Sequence, residues 1–117
     1  MQEQPSLSKS VVGKRLRQVR LLRVLSQEQL GAMAGLEESS SSARMSRYES
    51  GIHEPPAHLL HRLSEVLKVS AAFFYCADDR LAKIILLYAR APEEGREILL
   101  QQAKAVALDQ VKELKNK

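Results

Sequence analysis

Cysteine is nearly missing from this chain of 117 residues, and tryptophan is missing altogether. The single cysteine, Cys76, excludes an internal disulfide, so a hydrophobic core must hold the fold, and 44% apolar residues suffice for one. Aromatic residues make up only 4%, which argues against the ring platforms on which single-stranded nucleic acids stack. Neither an apolar run of about 18 residues nor an export leader is found. We therefore expect a cytoplasmic protein that does not bind membranes.

Enzyme and metal chemistry have little support in the sequence. A glycine-rich phosphate loop is absent, and the notable cluster of histidines is His53, His58 and His61. His58 and His61 could share a metal with Cys76 or Glu54, but histidines on a helix surface are far commoner. We expect no catalytic residue, no metal and no other cofactor.

Positive charge is concentrated near the N-terminus, although the net charge is only +4. Residues 4–27 contain no acidic residue, and their basic residues are Lys9, Lys14, Arg15, Arg17, Arg20 and Arg23. Such a basic helix face fits duplex DNA, but basic helix faces also occur without any nucleic acid. Charge alone does not decide between the two.

Apolar residues recur at three- and four-residue steps, which predicts five short helices within residues 11–76 and no strand. Ser10 is placed to cap the first helix. Ser26 and Gln29 have the spacing of a capping box, which starts a second helix at Gln27. Gly35 and Gly51 are placed to end the second and third helices, and Pro55-Pro56 precedes the fourth. We expect a compact all-α module.

The third predicted helix divides its side chains between two faces. Met45 and Tyr48 lie one turn apart and should pack inward, while Arg44 and Arg47 form a separate pair rotated away from them. The preceding run, residues 37–42, contains only glutamate and serine. It predicts either a flexible loop or alternative N-caps for this helix.

These motifs resemble the lambda-repressor-like, Cro-type helix-turn-helix regulators. The resemblance covers residues 11–76 and lies in the arginines of residues 15–20, Ser-Gln-Glu-Gln-Leu-Gly at 26–31, Met-Ser-Arg-Tyr-Glu-Ser-Gly at 45–51 and Pro-Pro-Ala-His-Leu-Leu at 55–60. It implies a five-helix DNA-binding domain over residues 11–76, preceded by an N-terminal arm (1–10) and followed by a C-terminal helical segment (77–117). In that fold the third helix enters the major groove.

The resemblance also implies roles for individual residues. Arg47 is the first choice for reading a base, and Arg44 is the second, although it could equally hold a phosphate. Ser42 and Ala43 add contacts near the helix start. Gln27, at the N-terminus of the second helix, is suited to a backbone phosphate. Lys14 and Arg15 complete the predicted DNA-binding set, and an Arg20–Glu49 pair between the first and third helices is expected to be structural.

Two departures from the family pattern concern the second and third helices. Gly31 stands where the family usually has alanine, which should not affect function. The stretch 36–42 is about four residues longer than the usual turn, so the serine that starts the recognition helix is undetermined.

The C-terminal segment is expected to be helical and to associate with something. Asp78 or Asp79 caps a helix, Pro92 opens a longer one, and Leu100, Ala103, Ala107 and Leu114 form its heptad-like seam. The seam could fold back on the protein's own core, form a homodimer or capture another protein. Two functions remain open: a repressor that binds a palindromic operator as a dimer, and an antitoxin-type module that neutralises a partner protein and regulates its own operon.

Overall fold

Seven α-helices make up the part of the chain described by the computed structural model, which covers the backbone of residues 10–115 and the side chains of residues 10–108. They are α1 (Val11–Leu22), α2 (Gln27–Met33), α3 (Glu38–Ser50), α4 (Ala57–Leu67), α5 (Ala71–Tyr75), α6 (Asp79–Arg90) and α7 (Glu93–Lys115). Within residues 10–115 there is no strand. The all-α class, with five short helices followed by a helical extension, is confirmed. The arm predicted for residues 1–10 lies outside the described residues except for Ser10.

Most of the predicted caps form. The Ser26 hydroxyl accepts from the Gln29 amide at 3.0 Å, while the Gln29 side chain accepts from the Ser26 amide at 2.8 Å, as a capping box requires. Ser10 caps α1, and Asp78, one of the two candidates, caps α6. Ser70 also caps α5. These bonds satisfy amides that a helix start leaves unpaired.

Both predicted glycine stops have a left-handed backbone. Gly35 has φ +94° in the turn after α2, and Gly51 has φ +83° at the C-cap of α3. A side chain is strained at such φ values. Val24 and Lys68 nevertheless have φ 57° at the ends of α1 and α4.

The core lies where α1 to α5 meet. Leu16 and Val19 of α1, Leu30 of α2, Met45 of α3 and Leu63 of α4 are all fully buried. Phe73 and Phe74 of α5 close it with an edge-to-face contact, their ring centroids 6.0 Å apart. The core does not stop at residue 76, because Ala82 is fully buried and Ile85 and Leu86 pack against it. Thus α6 shares the core of the predicted 11–76 module.

The acidic and serine-rich run is neither a loop nor a set of N-caps. It forms the first turn of α3, which begins at Glu38 after an N-cap, Glu37, whose side chain makes no capping bond. The residues added relative to the family pattern thus lengthen the helix and not the turn. The reason is Ser41, which is fully buried and whose hydroxyl donates to the Glu28 carbonyl of α2 at 2.9 Å.

The last helix points away from the rest of the molecule. Every side chain from residue 97 to residue 108 is exposed. This part of α7 therefore does not fold back on the core, contrary to one of the alternatives. Arg96 fixes its start by donating to the carbonyls of Tyr88 and Ala89 at the end of α6, at 3.1 and 2.8 Å. The radius of gyration is 17.4 Å, whereas a compact chain of this length has about 13 Å.

Candidate nucleic-acid interface

A helix-turn-helix is formed by α2, the turn at residues 34–37 and α3. One face of α3 packs inward through Ser41, Met45, Tyr48 and Glu49, all buried. The opposite face is an exposed stripe, here called the α3 stripe, that consists of Ser39, Ser42, Ala43, Ser46 and Arg47. Most of these side chains are short, so a nucleic acid could approach the helix closely.

The two arginines of α3 differ in their surroundings. Arg47 lies on the α3 stripe, and its guanidinium has no hydrogen bond or ion pair with the described residues. Arg44 is half-buried, and its Nη2 donates to the Tyr48 hydroxyl at 2.7 Å. Its guanidinium carbon is also 5.8 Å from the centre of the Tyr48 ring, within cation–π range. Arg47 is therefore free to find a new partner, whereas Arg44 already has one.

Glu49 joins three helices beneath the α3 stripe. Its carboxylate accepts from Arg20 Nε at 2.6 Å and from Arg20 Nη2 at 3.1 Å. The pair is buried, with 8% and 4% of the side chains exposed. Gln27 Nε2 donates to the same carboxylate at 3.2 Å, which ties α2 to α3. Arg20 and Glu49 thus form the predicted pair between the first and third helices, and Gln27 bonds the same carboxylate.

Arg15 does not belong to a phosphate-binding surface, contrary to prediction. Its side chain is only 2% exposed. Its guanidinium donates to the carbonyls of Cys76 and Ala77, to the side chain of Gln18 and to the carboxylate of Asp79, and lies 5.7 Å from the ring centre of Phe73. A charge so enclosed serves the fold. The periodicity of α1 contained the signal, because Arg15 lies beside buried Val12 and Leu16 on the inner face.

Lys14, the neighbouring prediction, is half-exposed and forms an ion pair with Asp79 at 3.2 Å. Hydrogen bonds from Arg15 and Lys14 lower the pKa of the Asp79 carboxyl below its ordinary value. The pair is accessible to solvent, so it is of little consequence for stability. Lys14, on α1, could exchange Asp79 for a phosphate.

Gly31 allows another helix to approach α2 closely, as its lack of a side chain predicts, but sequence reasoning missed that the contact is with Ser41 of α3. A Cβ atom on Gly31 would lie 1.9 Å from Ser41 Oγ, so an alanine here would displace the hydroxyl from its bond to Glu28. The two departures from the family pattern are therefore linked: the additional helical turn carries Ser41, and Gly31 makes room for it. Their co-occurrence in one chain was the available signal.

The predicted seam of α7 faces solvent as far as it is described. Leu100 is 46% exposed, and Ala103 and Ala107 are exposed as well. Leu99 and Val106 lie on the same side of the helix and are also exposed. Leu114 lies beyond the described side chains. We call Leu99, Leu100, Ala103, Val106 and Ala107 the α7 stripe.

Membrane spans and metal clusters are both missing from the described part of the chain. No helix there is long and apolar enough to cross a membrane. No three histidine, cysteine, aspartate or glutamate side chains between residues 10 and 108 lie together in a metal-binding group. His58 and His61 are exposed on α4.

Comparison with known proteins identifies the fold family. The helix-turn-helix family pattern matches residues 16–74, half of the chain. A similar solved structure is the crystal structure of transcriptional regulator BswR, at 36% identity and a TM-score of 0.76, covering 80% of this chain and 92% of that one. No curated protein matches. The chain therefore belongs to the lambda-repressor-like family of helix-turn-helix DNA-binding proteins.

Proposed function

We propose that this protein is a transcriptional regulator, a repressor that binds a palindromic operator in duplex DNA as a homodimer. The observation that carries the proposal is the α3 stripe. It is an exposed helix face with short side chains, within a helix-turn-helix, and its one arginine has no partner among the described residues. A major groove admits an α-helix and displays a different donor and acceptor pattern for each base pair.

Base reading is assigned first to Arg47. Its guanidinium can donate two hydrogen bonds to O6 and N7 of guanine, which is a common specific contact in the major groove. Ser42 and Ala43 lie one turn earlier on the α3 stripe, where a hydroxyl can bond a base edge and a methyl group can contact thymine. Ser39, added by the lengthened helix, extends the same stripe toward its N-terminus.

Backbone contacts are assigned to Gln27 and Lys14. Gln27 is the first residue of α2, where unpaired amides and the helix dipole both favour an anion. Its amide group already bonds Glu49, which holds it in place at that helix end. Such contacts position a protein on DNA without reading the sequence.

The homodimer is assigned to the C-terminal helices. One recognition helix contacts only a few base pairs, too few to select a site in a genome, and two-fold symmetry doubles the contact. The exposed α7 stripe is the apolar surface available for it, and α6 adds exposed Leu81, Ile84 and Tyr88. Recognition helices in such a dimer read half-sites about 34 Å apart, one helical turn of DNA.

Two substitutions that each introduce one carboxylate test this assignment in the full-length chain. Leu100→Glu places the carboxylate on the α7 stripe, whereas Ala105→Glu places it on the opposite side of α7, at another exposed position. Sedimentation should find a dimer for the wild type and Ala105→Glu, and a monomer for Leu100→Glu. Leu100→Glu should also bind a palindrome selected from random duplexes more weakly than the wild type does. The affinity of the wild type should decrease steeply as the salt concentration rises. A monomeric wild type that binds the palindrome tightly would contradict the homodimer.

A second candidate function follows from the exposed α7 stripe. Its apolar side chains would suit another protein equally well, as in an antitoxin that neutralises a partner and represses its own operon. A wild type that stays monomeric in sedimentation but forms a stable complex with the product of a neighbouring gene would favour this function. DNA binding by the α3 stripe belongs to both candidates.

A further inference from the structure

Arg44 and Tyr48 form a preassembled unit on one flank of the recognition helix. In an α-helix successive residues are rotated by about 100°, which places Arg44 roughly 60° from Arg47 and Tyr48 about 40° further round. Arg47 is exposed on the α3 stripe, Arg44 is half-buried, and Tyr48 is 5% exposed. The order from Arg47 to Tyr48 therefore runs from the edge of the α3 stripe, across a half-buried flank, to the core.

We infer that Arg44 binds a DNA backbone phosphate at the edge of the groove and that the Tyr48 hydroxyl positions it there. The inference rests on the proposed function, because it assumes that the α3 stripe enters the major groove. A side chain on the flank of an inserted helix faces the groove wall, which phosphates line, and not the base edges at its floor. The sequence alone does not decide whether Arg44 reads a base or binds a phosphate.

The hydroxyl of Tyr48 suits the positioning role because its ring is fixed in the core. It accepts one of the five N–H groups of Arg44 at 2.7 Å, leaving four N–H groups for other acceptors. Both partners lie one turn apart on one helix, so their geometry is set before DNA binds. An ordered guanidinium loses less conformational entropy on binding than a free one.

The test uses the full-length protein and its preferred operator, selected from random duplexes by the wild type. Affinity is measured at several salt concentrations for Arg44→Ala, Arg44→Lys, Tyr48→Phe and the double variant Arg44→Ala/Tyr48→Phe. Every single-base variant of the operator is measured in the same way. Tyr75→Phe is the matched control, because Tyr75 is 62% exposed and its hydroxyl has no partner among the described residues. Thermal unfolding of each variant establishes that it is folded at the binding temperature.

Removing Arg44 should weaken all duplexes alike, by about tenfold for each half-site, the scale of one charge-assisted hydrogen bond. It should also reduce the slope of log affinity against log salt by about one for each half-site. Arg44→Lys should weaken binding while keeping the wild-type slope, since the charge remains. Tyr48→Phe should weaken all duplexes by about threefold for each half-site with an unchanged slope, because only the orienting hydrogen bond is lost. In the Arg44→Ala background Tyr48→Phe should have no further effect, and Tyr75→Phe should have none at all.

Other results would overturn the inference. A loss confined to one base pair would make Arg44 a base reader, and an equal effect of Tyr48→Phe with and without Arg44 would remove the positioning role. Unchanged affinity in Arg44→Ala would remove Arg44 from the interface. Each of these leaves the proposed function standing, provided the wild type selects an operator. A wild type that selects no duplex would instead reject the proposed function together with the inference.

Discussion

The helix-turn-helix module and α7 differ in how their side chains are satisfied. In the module, buried polar groups have partners: Arg20 and Glu49 bond each other, Arg15 bonds four acceptors, and no buried side-chain nitrogen or oxygen between residues 10 and 108 lacks a hydrogen bond. In α7, by contrast, the apolar side chains from residue 97 to residue 108 are exposed. The module is complete as one copy of the chain, whereas the described part of α7 has an apolar surface that the same copy leaves uncovered.

The two regions therefore depend on different contacts: the module on contacts within one copy of the chain, and the described part of α7 on contact with another surface. Bonds that join α1, α2 and α3 hold the α3 stripe at a fixed orientation, which reading a base sequence requires. An exposed apolar stripe contributes little until another surface covers it. Substitutions in the module should therefore change the stability of a single copy, and substitutions in α7 should change association.

The largest effect is expected at the buried ion pair. Glu49→Ala leaves Arg20 charged, buried and without a carboxylate, which should lower the free energy of unfolding by about 3–5 kcal/mol. Glu65→Ala removes an exposed carboxylate from α4 and should change it by less than about 0.5 kcal/mol. Urea unfolding followed by circular dichroism measures both. Equal effects of the two substitutions would show that the Arg20–Glu49 pair does not join the helices.

A leucine pair compares the two regions directly. Leu63→Ala empties a fully buried site and should cost about 2–5 kcal/mol at any protein concentration. Leu100→Ala should cost the monomer less than about 0.5 kcal/mol, but it should weaken the dimer, so its effect should grow with protein concentration. Thermal unfolding at two widely separated concentrations distinguishes them. A large, concentration-independent cost at Leu100 would mean that α7 packs within one copy.

The smallest effect is expected at a strained turn. Val24 is 86% exposed with φ 57°, a left-handed conformation that costs a residue with a Cβ about 1–2 kcal/mol. Val24→Gly should therefore raise the free energy of unfolding by about 1 kcal/mol, because the relief of strain is partly offset by backbone entropy. Lys68→Gly, at the same φ, provides an independent repeat. Destabilisation at both positions, measured by urea unfolding, would contradict the strain.

Sequence patterns predicted the helices well wherever local chemistry determines them. Ser10 and Ser26 cap helices, and Gly35 and Gly51 end them, because these side chains or their absence act within one turn. The serine run was wrongly predicted as a loop or as caps. Its helical state depends on Ser41, which fits against Gly31 and bonds the Glu28 carbonyl, thirteen residues earlier in the chain. Local helix propensity does not predict contacts between residues so far apart in the chain.

The candidate site, too, was predictable only where local sequence determines the position of a side chain. The outward position of Arg47 follows from helical periodicity counted from Met45 and Tyr48. Burial of Arg15 depends on its bonds to residues 76, 77 and 79, which the tertiary fold alone brings near. The i, i+4 spacing of Arg44 and Tyr48 allows a bond between them. Whether that bond matters for DNA binding depends on which flank of α3 remains exposed.

Base reading by Arg47 is the central claim, and competition binding on single-base operator variants at fixed salt tests it most directly. Arg47→Ala should lose about 1–3 kcal/mol of binding free energy for each half-site and relax the preference at one base pair of the half-site. Gln27→Ala should weaken all sequences alike, and Arg80→Ala, which removes an exposed arginine of α6, should leave both affinity and preference close to wild type. Unchanged discrimination at every base pair in Arg47→Ala would contradict the account.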